Sequence, residues 1–596
     1  MLCHPFSIRV VMTIEKKLKI VVETAVNKAI AKGKLEVASD SPISVEIERP
    51  RLPEHGDLSC GVALKLASLL RASPLKIAET IAGELEVFQN QISQFEVSAP
   101  GFINFRLGNS WLAESLQEIL KLDCDYGRSD LGTGQRVLIE YVSANPTGDL
   151  HIGHGRGAVY GSCLANLLAF SGYKVEQEFY VNDTGEQIAQ LGRCAWACYK
   201  RRLGVETQYP EEGYPEASIE KFVDQIIRLN GGKFLPLTDV EAQNQLAEIL
   251  KEVIMNAQKE LLSTLRINFD RWYSELSLHE RGAVQNVLNC FAETDMSYES
   301  EGALWLKAKE LGDERDRVLR KNDGKTTYLA ADAAYHLDKY ERGYDHLITI
   351  WGADHHGQVP GLKAAIQALG RDPKKLEVIL TQIVNLRRDG QTVRMSKRMG
   401  TVVALSDVMD EVGIDAVRYY LAESNPQNQI NFDLELAKKA SKDNPAFYIQ
   451  YAHARCCAIL RKVLEGTGGA ENRIGEKRIL TSADWSSYLE DYKLQSQVFE
   501  PLFTDSPEAL ACQKALIMRL QEFPKEVEEA ARARTPDKLA RYAYEVANHL
   551  QRYYEVARVI TDDSAVTKAR LGLILAVRQV LANVLGILGV QAPERM

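Results

Sequence analysis

One segment near position 150 constrains the fold more than any other. The β-branched run RVLIEYVSA (136–144) predicts a strand, and the proline- and glycine-containing loop NPTGDL follows it. A stretch of small and apolar residues then predicts a helix that begins near His151, and KVEQEFYV (174–181) predicts a second strand. This strand–helix–strand order is typical of a parallel sheet covered by helices, because parallel neighbours need a crossover connection. We therefore expect an α/β core.

The remainder of the chain extends this core on both sides. The strand pattern returns in HLITIWGA and in EVILTQIVNL (377–386), with a helical stretch between them. The first residues combine helical periodicity with strand-like alternation, and the last residues form one amphipathic helical pattern after another. We predict three domains: an α+β unit at 1–115, an α/β unit at 116–435 with a helical insertion at about 205–270, and an all-α bundle at 436–596.

Composition excludes several classes of protein. Hydrophobic residues make up 45% of the chain, which is enough to bury several cores and excludes a disordered protein. The apolar stretch 571–588 is interrupted by Arg578, so neither a membrane span nor a membrane partner is expected. Ten scattered cysteines indicate reduced thiols and a cytoplasmic protein. The net charge of −9 argues against indiscriminate nucleic-acid binding, and no DNA partner is expected. Residues 437–596, with 23 basic and 20 acidic side chains, are compatible with a specific RNA partner.

The tetrapeptide His151-Ile152-Gly153-His154 lies where the predicted strand gives way to the helix. A helix N-terminus carries unpaired N–H groups and the positive end of the helix dipole, so phosphate groups bind there. Residues three apart share a helix face, so both imidazoles can point at one anion, and Gly153 leaves room for a base or a ribose. Two surface histidines at a helix start are the alternative interpretation. The pattern favours a nucleotide-phosphate site.

A basic segment, RMSKRMGT (394–401), follows the last predicted strand. Three cations within five residues and a glycine predict a mobile loop, although a charge run alone is more often a solvated face. The pattern GxxxxGK[ST] does not occur, which disfavours a P-loop enzyme. Gly155, Gly157 and Gly161 have the wrong spacing for a dinucleotide fingerprint and fall inside the predicted helix.

Together these two segments resemble the HIGH and KMSKS signatures of class I aminoacyl-tRNA synthetases. Arg394 and Arg398 replace the first lysine and the last serine of the second signature, whereas Lys397 keeps its second lysine. Some members instead carry a lysine just before HIGH, where this chain has Gly148 and Asp149. Within the class, the chain most resembles arginyl-tRNA synthetases over nearly its whole length, on ERPRLPEHGDLSCGVALKLA, APGFINFRL, SANP, YLAADAAYHLDKY, WGADHHGQ, DNPAFYIQYAHAR and APERM.

The resemblance implies a Rossmann-like parallel-sheet catalytic domain between a small α+β N-terminal domain and an all-α C-terminal helical bundle. It implies catalytic roles for His151, His154 and Lys397, and an ATP site made of these three residues with Gly153, Met395 and Ser396. It implies an arginine pocket made of Asn145, Glu275, Tyr328, Asp332 and Gln358. Tyr328 and Asp332 are four apart in a helical stretch and share a face, which suits a planar cation that pairs with carboxylates and lies against aromatic rings. No metal site within the protein is predicted.

The implied activity is the attachment of L-arginine to its tRNA through arginyl-adenylate, with ATP as substrate and Mg²⁺ at the phosphates. The N-terminal unit is expected to contact the outer bend of the tRNA and the C-terminal bundle to hold the anticodon. Tyrosines of the bundle can stack on bases, or they can simply be core residues: Tyr542, Tyr544, Tyr553 and Tyr554. The family resemblance further implies a monomer and a need for tRNA during arginine activation.

Three other functions remain open at this point. A class I synthetase for another amino acid is disfavoured by the acid–aromatic pair and by the N-terminal unit. A non-catalytic tRNA-binding paralogue is disfavoured because it has no reason to keep both histidines and Lys397. An adenylate-forming ligase that uses no RNA leaves the helical C-terminal unit without a purpose. Charging of total tRNA with each labelled amino acid distinguishes all of them.

Overall fold

The computed structural model describes residues 13–36, 43–50, 52–85, 92–393, 403–467, 490 and 495–596. The first unit is an antiparallel sheet of four strands in the order β1-β2-β4-β3, packed against three helices. Its elements are α1 (Ile14–Ala31), β1 (Ile47–Glu48), β2 (Leu58–Cys60), α2 (Val62–Leu70), α3 (Pro74–Ala82), β3 (Ile92–Ser98) and β4 (Phe102–Leu107). Helix α4 (Asn109–Leu122) connects this unit to the next.

The central sheet has five strands, and all of them are parallel, as the sequence predicts. Its order is β12-β11-β5-β6-β7, so the chain leaves β5 in one direction toward β6 and later returns to the other side at β11. This reversal opens a crevice at the carboxyl ends of the strands, which is where ligands bind in open α/β sheets. The strands are β5 (Arg136–Glu140), β6 (Lys174–Val181), β7 (Arg271–Ser274), β11 (His346–Gly352) and β12 (Leu376–Thr381).

Helix α5 (Ile152–Phe170) joins β5 to β6 and lies at the centre of the molecule. It packs against β6 and against helices of the second half of the chain, which is why nearly every turn of it is buried. Gly161 allows this packing, because a Cβ atom there would lie 2.4 Å from the Tyr141 ring. Gly161 therefore serves close packing of α5 against the residue that follows β5.

Three helices are inserted between β6 and β7 and share one hydrophobic cluster. They are α6 (Glu186–Arg202), α7 (Glu216–Asn230) and α8 (Asp239–Thr264). The cluster includes α6, which precedes the insertion expected at about 205–270. Thr238 caps α8, since its hydroxyl accepts from the backbone N–H of Glu241 while the Glu241 carboxylate accepts from the Thr238 N–H.

Short elements complete the α/β unit between β7 and β15. An antiparallel sheet has the order β10-β9-β8, and a second small sheet has the order β14-β13-β15. The predicted strand 377–386 is two strands, β12 in the central sheet and β13 in the second small sheet. The elements are α9 (Glu275–Glu280), α10 (Ala283–Ala292), β8 (Ser297–Ser300), β9 (Ala303–Leu306), β10 (Arg317–Arg320), α11 (Tyr328–Glu341), α12 (Val359–Ala368), β13 (Val384–Arg388), β14 (Gln391–Thr392), α13 (Leu405–Val412), α14 (Ile414–Ala422) and β15 (Ile430–Asp433).

The last part of the chain is helical in every described residue that has regular structure, as predicted. Its helices are α15 (Leu434–Lys438), α16 (Pro445–Thr467), α17 (Pro507–Gln521), α18 (Phe523–Ala533), α19 (Asp537–Val556) and α20 (Ser564–Leu588). By length and composition α20 alone among the described helices is apolar enough to cross a membrane, but 78% of its most apolar window is buried inside the fold. This burial identifies α20 as the core helix of the bundle.

Candidate functional site

The predicted site residues follow different strands of the central sheet. Asn145 lies in the loop after β5, Glu275 follows β7 directly, and Gln358 ends a 3₁₀ helix after β11. Because the strands are parallel, their carboxyl ends meet at one edge of the sheet, and these residues are all carried there. The sequence could predict each strand end separately, but only the strand order brings the ends together.

His151 and His154 form the start of α5 and hold each other in place. His151 is the N-cap, and its Nδ1 accepts from the Gly153 N–H at 3.1 Å. The Nδ1 of His154 accepts from the His151 N–H at 3.2 Å, and the two rings stack with centroids 3.7 Å apart. Since Nδ1 accepts in both rings, each ring carries its hydrogen on Nε2. The pair therefore supplies two neutral Nε2–H donors beside a helix N-terminus.

Two glycines make this helix start possible. A Cβ atom on Gly153 would lie 2.9 Å from Cε1 of His151 and would push that ring out of the stack. A Cβ atom on Gly155 would lie 2.8 Å from the Leu405 side chain. The HIGH segment thus needs glycine for the imidazole geometry, and the next turn needs glycine to approach α13.

The basic segment 394–401, with the predicted residues Met395, Ser396 and Lys397, lies outside the described residues. The chain immediately after it is attached to the histidine pair. Ala404 forms an antiparallel bridge with His151, and the Leu405 N–H donates to the Leu150 carbonyl at 2.8 Å. Ala404 and Leu405 are therefore fixed next to the start of α5.

Three carboxyl groups influence one another at the carboxyl ends of β5 and β7 and on α11: Glu140, Glu275 and Asp332. Asp332 is half-buried on the second turn of α11, and Glu275 is buried at the start of α9. Burial raises the pKa of Asp332 to about 7, and the nearby carboxylates of Glu140 and Glu275 add to this rise. Burial also raises the pKa of Glu275, against a hydrogen bond from Tyr180. Lys339, which pairs with Glu140, acts in the opposite direction and lowers the pKa of Asp332.

The remaining residues predicted for the amino-acid pocket are exposed. Tyr328 is the first residue of α11, one turn before Asp332, and its side chain is 73% exposed. Asn145 and Gln358 are exposed, and the structure records Gln358 in contact with His355 at 3.2 Å. The shared helix face of Tyr328 and Asp332 is confirmed, so an exposed aromatic ring stands above a half-buried acid.

Beneath the pocket, α11 is held to the sheet by buried polar contacts. Lys339 donates to Glu140 at 2.7 Å and to the Thr349 hydroxyl at 3.2 Å. Tyr335 and Arg342 both bind Glu178, at 2.6 Å in each case. Removing one member of such a group strands a buried charge at a cost of about 3–5 kcal/mol. These contacts fix the register of α11 and hence the position of Asp332.

Sequence reasoning missed Glu140, Glu178 and Asp183. Asp183 follows β6, and its carboxylate accepts from the Ser274 hydroxyl at 2.6 Å and from the Leu276 N–H at 2.9 Å, which orients the start of α9. Glu140 ends the apolar run VLIE of β5, and an acid at the end of a buried strand is a signal that indicates a partner, whereas Glu178 lies in the polar strand KVEQEFYV and gives no such signal. In the described ranges, no group of three or more His, Cys, Asp and Glu side chains is arranged to hold a metal ion.

A second cluster lies in the C-terminal bundle, between α16 and α19. A shallow cavity there is lined by Tyr448, Tyr451, Arg455 and Tyr554, among others. The Arg455 guanidinium lies 3.7 Å from the centre of the Tyr554 ring, and Tyr451 is 43% exposed. Of the four tyrosines noted in the sequence, Tyr542 and Tyr553 are core residues and Tyr554 is partly exposed.

The parallel sheet, the imidazole pair at a helix start and the helical C-terminal unit together define a class I aminoacyl-tRNA synthetase. The sequence matches three family patterns along its length. These are the arginyl tRNA synthetase N terminal domain (16–107), the catalytic domain of class I (R) tRNA synthetases (115–441) and the DALR anticodon binding domain (449–596).

Whole-chain relatives define the family. An arginine–tRNA ligase of Desulfitobacterium hafniense is 40% identical over 576 residues, 95% of this chain and 98% of that protein. One from Desulforamulus reducens is 40% identical over 589 residues, 98% of this chain and 99% of that protein. The chain belongs to the arginyl-tRNA synthetase family. The solved arginyl-tRNA synthetase of Thermus thermophilus shares the fold, with a TM-score of 0.70 and 21% identity over 98% of this chain and 100% of that one.

Proposed function

We propose that this chain joins L-arginine to its cognate tRNA with ATP, through arginyl-adenylate, and releases AMP and pyrophosphate. Family membership over nearly the whole chain supports this activity. The observation that carries the choice of amino acid is the pair of acids Glu275 and Asp332, neither of which has a lysine or arginine partner among the described residues, whereas Glu140 is paired with Lys339. Two acids favour a positively charged side chain such as that of arginine over a neutral one.

In the first step, a carboxylate oxygen of arginine attacks the α-phosphorus of ATP. The bond from that phosphorus to the bridging oxygen breaks, and its electrons leave with pyrophosphate. The Nε2–H groups of His151 and His154 donate to phosphate oxygens, while the N–H groups of Gly153 and its neighbours add the positive end of the helix dipole. Alignment and charge stabilisation accelerate this step, so no protein nucleophile is needed.

In the second step, a hydroxyl oxygen of the terminal ribose of the tRNA attacks the carbonyl carbon of the mixed anhydride. The bond from this carbon to the phosphate oxygen breaks, AMP leaves with the electron pair, and the hydroxyl proton passes to AMP or to water. We assign Lys397, with Met395 and Ser396, to the departing phosphates of the first step. The attachment of Ala404 to His151 supports this assignment, because Ala404 is only seven residues after Lys397 in the sequence.

The pocket explains why arginine is selected. We assign Asp332 and Glu275 to the guanidinium, Tyr328 to its flat face, and Asn145 and Gln358 to the amino-acid end of the substrate. A guanidinium has five donors and a permanent charge, which suits converging carboxylates. A neutral side chain leaves these acids unpaired, at about 3–5 kcal/mol for a stranded buried charge. Discrimination of this size needs no editing step.

Mg²⁺ is proposed as the counter-ion of the ATP phosphates. The described residues offer no protein cluster that could hold it, and Mg²⁺ commonly binds through phosphate oxygens and water with only one or two carboxylates. When bound, it would lower the repulsion between the phosphates and the acidic pocket. The protein residues named above perform the positioning.

We further propose a division of labour among three domains: 1–115 at the outer bend of the tRNA, 116–435 for catalysis with the insertion at about 205–270, and 436–596 at the anticodon. We propose a cytoplasmic monomer that acts on neither DNA nor membranes. The net charge of −9 and the burial of α20 support the last two points.

The cluster around Tyr554 is proposed to stack an unpaired anticodon base. Exposed aromatic rings and arginine planes stack on unpaired bases in RNA recognition, and both are present here. Tyr554→Ala should weaken tRNA use by about 1–3 kcal/mol and leave the KM for arginine unchanged. Tyr298→Ala is the matched control, because Tyr298 is equally exposed (37% against 38%) on the small sheet of β8. Equal effects of both substitutions on the KM for tRNA would refute the assignment.

The activity itself is tested by charging total tRNA with each of the twenty labelled amino acids. We expect arginine alone to be attached, and only when ATP and tRNA are both present. Attachment of another amino acid would show that the proposed substrate, arginine, is wrong and would identify the correct one. Absence of any product would favour the non-catalytic paralogue, and formation of an adenylate that is never transferred would favour the ligase without RNA.

A further inference from the structure

The loop between β5 and α5 contains residues proposed for both substrates. Asn145, proposed for arginine, lies in its middle, and His151, proposed for the ATP phosphates, lies at its end. Two of its residues have left-handed backbone, Val142 at φ 69° and Ser143 at φ 43°. For a β-branched residue such as valine this conformation is strained, at about 1–3 kcal/mol. The loop keeps it only because surrounding groups hold it.

On the sheet side, Ser143 fixes the start of the loop. Its hydroxyl donates to the Glu140 carboxylate at 2.7 Å and accepts from the Tyr180 N–H at 3.2 Å. Both partners belong to the central sheet. The end of the loop is fixed separately, by the contact of His154 with the His151 N–H and by the bond from Leu405 to Leu150.

The middle of the loop is held by Gln258 of the inserted helix α8. Its Nε2 donates to the Asn145 carbonyl at 3.2 Å and to the Gly148 carbonyl at 2.9 Å. The side chain is only 3% exposed, and its Oε1 has no hydrogen-bond partner among the described residues. A buried acceptor without a partner costs stability. The use of Gln258 here is therefore better explained by the geometry it imposes on the loop.

A second contact joins the same loop to the insertion. Lys221 of α7 pairs with Asp149, but both side chains are well exposed, at 49% and 38%. Exposed ion pairs contribute little to stability, with a median of about 0–1 kcal/mol. Lys221 therefore provides a matched comparison for Gln258, because both side chains extend from the inserted helices and both contact the loop between β5 and α5.

We propose that Gln258 is a positioning residue for the amino-acid pocket, which it serves by holding the Asn145 carbonyl from the inserted helices. The proposal rests on the proposed function, in which Asn145 contacts the amino-acid end of arginine. The histidine pair has its own supports, so the effect of Gln258 falls on arginine and not on ATP. The helical insertion thereby acquires a role in the first step of the reaction.

The test compares Gln258→Met, Gln258→Glu and Lys221→Met in the full-length protein. Pyrophosphate exchange is measured with tRNA present, and the KM is determined for arginine and for ATP. Gln258→Met keeps the volume but removes the donor, so we expect the KM for arginine to rise about five- to tenfold and the KM for ATP to change less than about twofold. Gln258→Glu keeps the shape and should not restore arginine use, because a carboxylate repels both carbonyls.

Lys221→Met should leave both KM values within about twofold of the unsubstituted protein. Equal changes in the KM for arginine and for ATP, or full activity of Gln258→Glu, would overturn the proposal. A lower melting temperature with unchanged KM values would assign Gln258 a purely structural role and would also overturn it. Failure of the unsubstituted protein to charge arginine would instead refute the proposed function, so the two failures are distinguishable.

Discussion

His151 and His154 illustrate how ordinary side chains gain a defined chemistry from the helix start that they occupy. Each ring accepts a backbone N–H through Nδ1, so the tautomer and the ring plane are both set by the backbone. The sequence motif predicts two imidazoles on one face. The structure adds which nitrogen carries the hydrogen, and this decides that the rings donate to phosphate oxygens.

Gly153→Ala should disrupt this pair without unfolding the protein. The new Cβ atom would lie 2.9 Å from the His151 ring, so the ring must leave its stacked position. We expect the rate of adenylate formation in single-turnover experiments to fall about tenfold or more, because the displaced His151 ring no longer positions the phosphates. Gly157→Ala is the control on the same helix, since nothing lies within 4 Å of its new Cβ atom. A similar loss in both variants would contradict the stacking argument.

Arginine binding should release a proton near neutral pH. The pKa of Asp332 is raised to about 7, and the guanidinium favours the ionised form, so binding lowers this pKa. Affinity should therefore be greatest above pH 7 and should weaken as the pH falls below it, by up to about tenfold per pH unit.

Calorimetry in two buffers of different ionisation enthalpy measures this proton directly. Asp332→Asn should weaken arginine binding and abolish the proton release, whereas Glu341→Gln, at the exposed end of the same helix, should change neither. Proton uptake, or binding that does not depend on pH, would argue against Asp332 as the guanidinium partner.

At the scale of elements, the decisive feature is the way α5 is held. The Arg156 side chain is almost fully buried and donates to the Gln382 carbonyl at 2.7 Å and to the Asn425 carbonyl at 2.9 Å. These two carbonyls lie in the turn between β12 and β13 and in the loop before β15. The predicted strand 377–386 breaks into two at the turn whose Gln382 carbonyl accepts from this arginine of another element.

Arg156→Lys should destabilise this junction, because an ammonium lacks the planar fork that serves two carbonyls at once. We expect a loss of about 1–3 kcal/mol, seen as a lower urea midpoint, together with slower adenylate formation. Arg136→Lys is the comparison: Arg136 also donates to backbone carbonyls, of Arg342 and Gly343, but at an exposed position. An equal loss of stability in Arg136→Lys would show that burial of the guanidinium is unimportant.

At the scale of the molecule, the end of the anticodon bundle is built into the catalytic unit. Arg418 of α14 is fully buried and donates to the Leu588 carbonyl at the end of α20 at 3.0 Å, and to the Leu265 carbonyl at 2.8 Å. Asn166 of α5 donates to the Ile587 carbonyl at 3.1 Å. The helix that carries HIGH therefore also caps the last helix of the chain.

Arg418→Met should lower the melting temperature of the whole protein by several degrees. It leaves two buried carbonyls and the Ser162 hydroxyl without their donor, at a cost of about 2–4 kcal/mol. Arg461→Met removes a similar arginine-to-carbonyl bond to Glu594 at an exposed position and should have a smaller effect. Scanning calorimetry compares the two. An unchanged transition in Arg418→Met would mean that the bundle and the catalytic unit are stabilised independently of this contact.

The sequence by itself determined the parallel sheet, the helical C-terminal unit and the family, because these depend on local periodicity and on short motifs such as HIGH. It also indicated that Tyr328 and Asp332 share a helix face, since helical spacing is a local property. Tertiary structure alone decided the electrostatics. Burial raises the pKa of Asp332, and Glu140, distant in sequence, adds to the rise, while the loop that carries Asn145 is held by Gln258 of an inserted helix. Contacts between elements set these properties, and no periodicity along the chain encodes them.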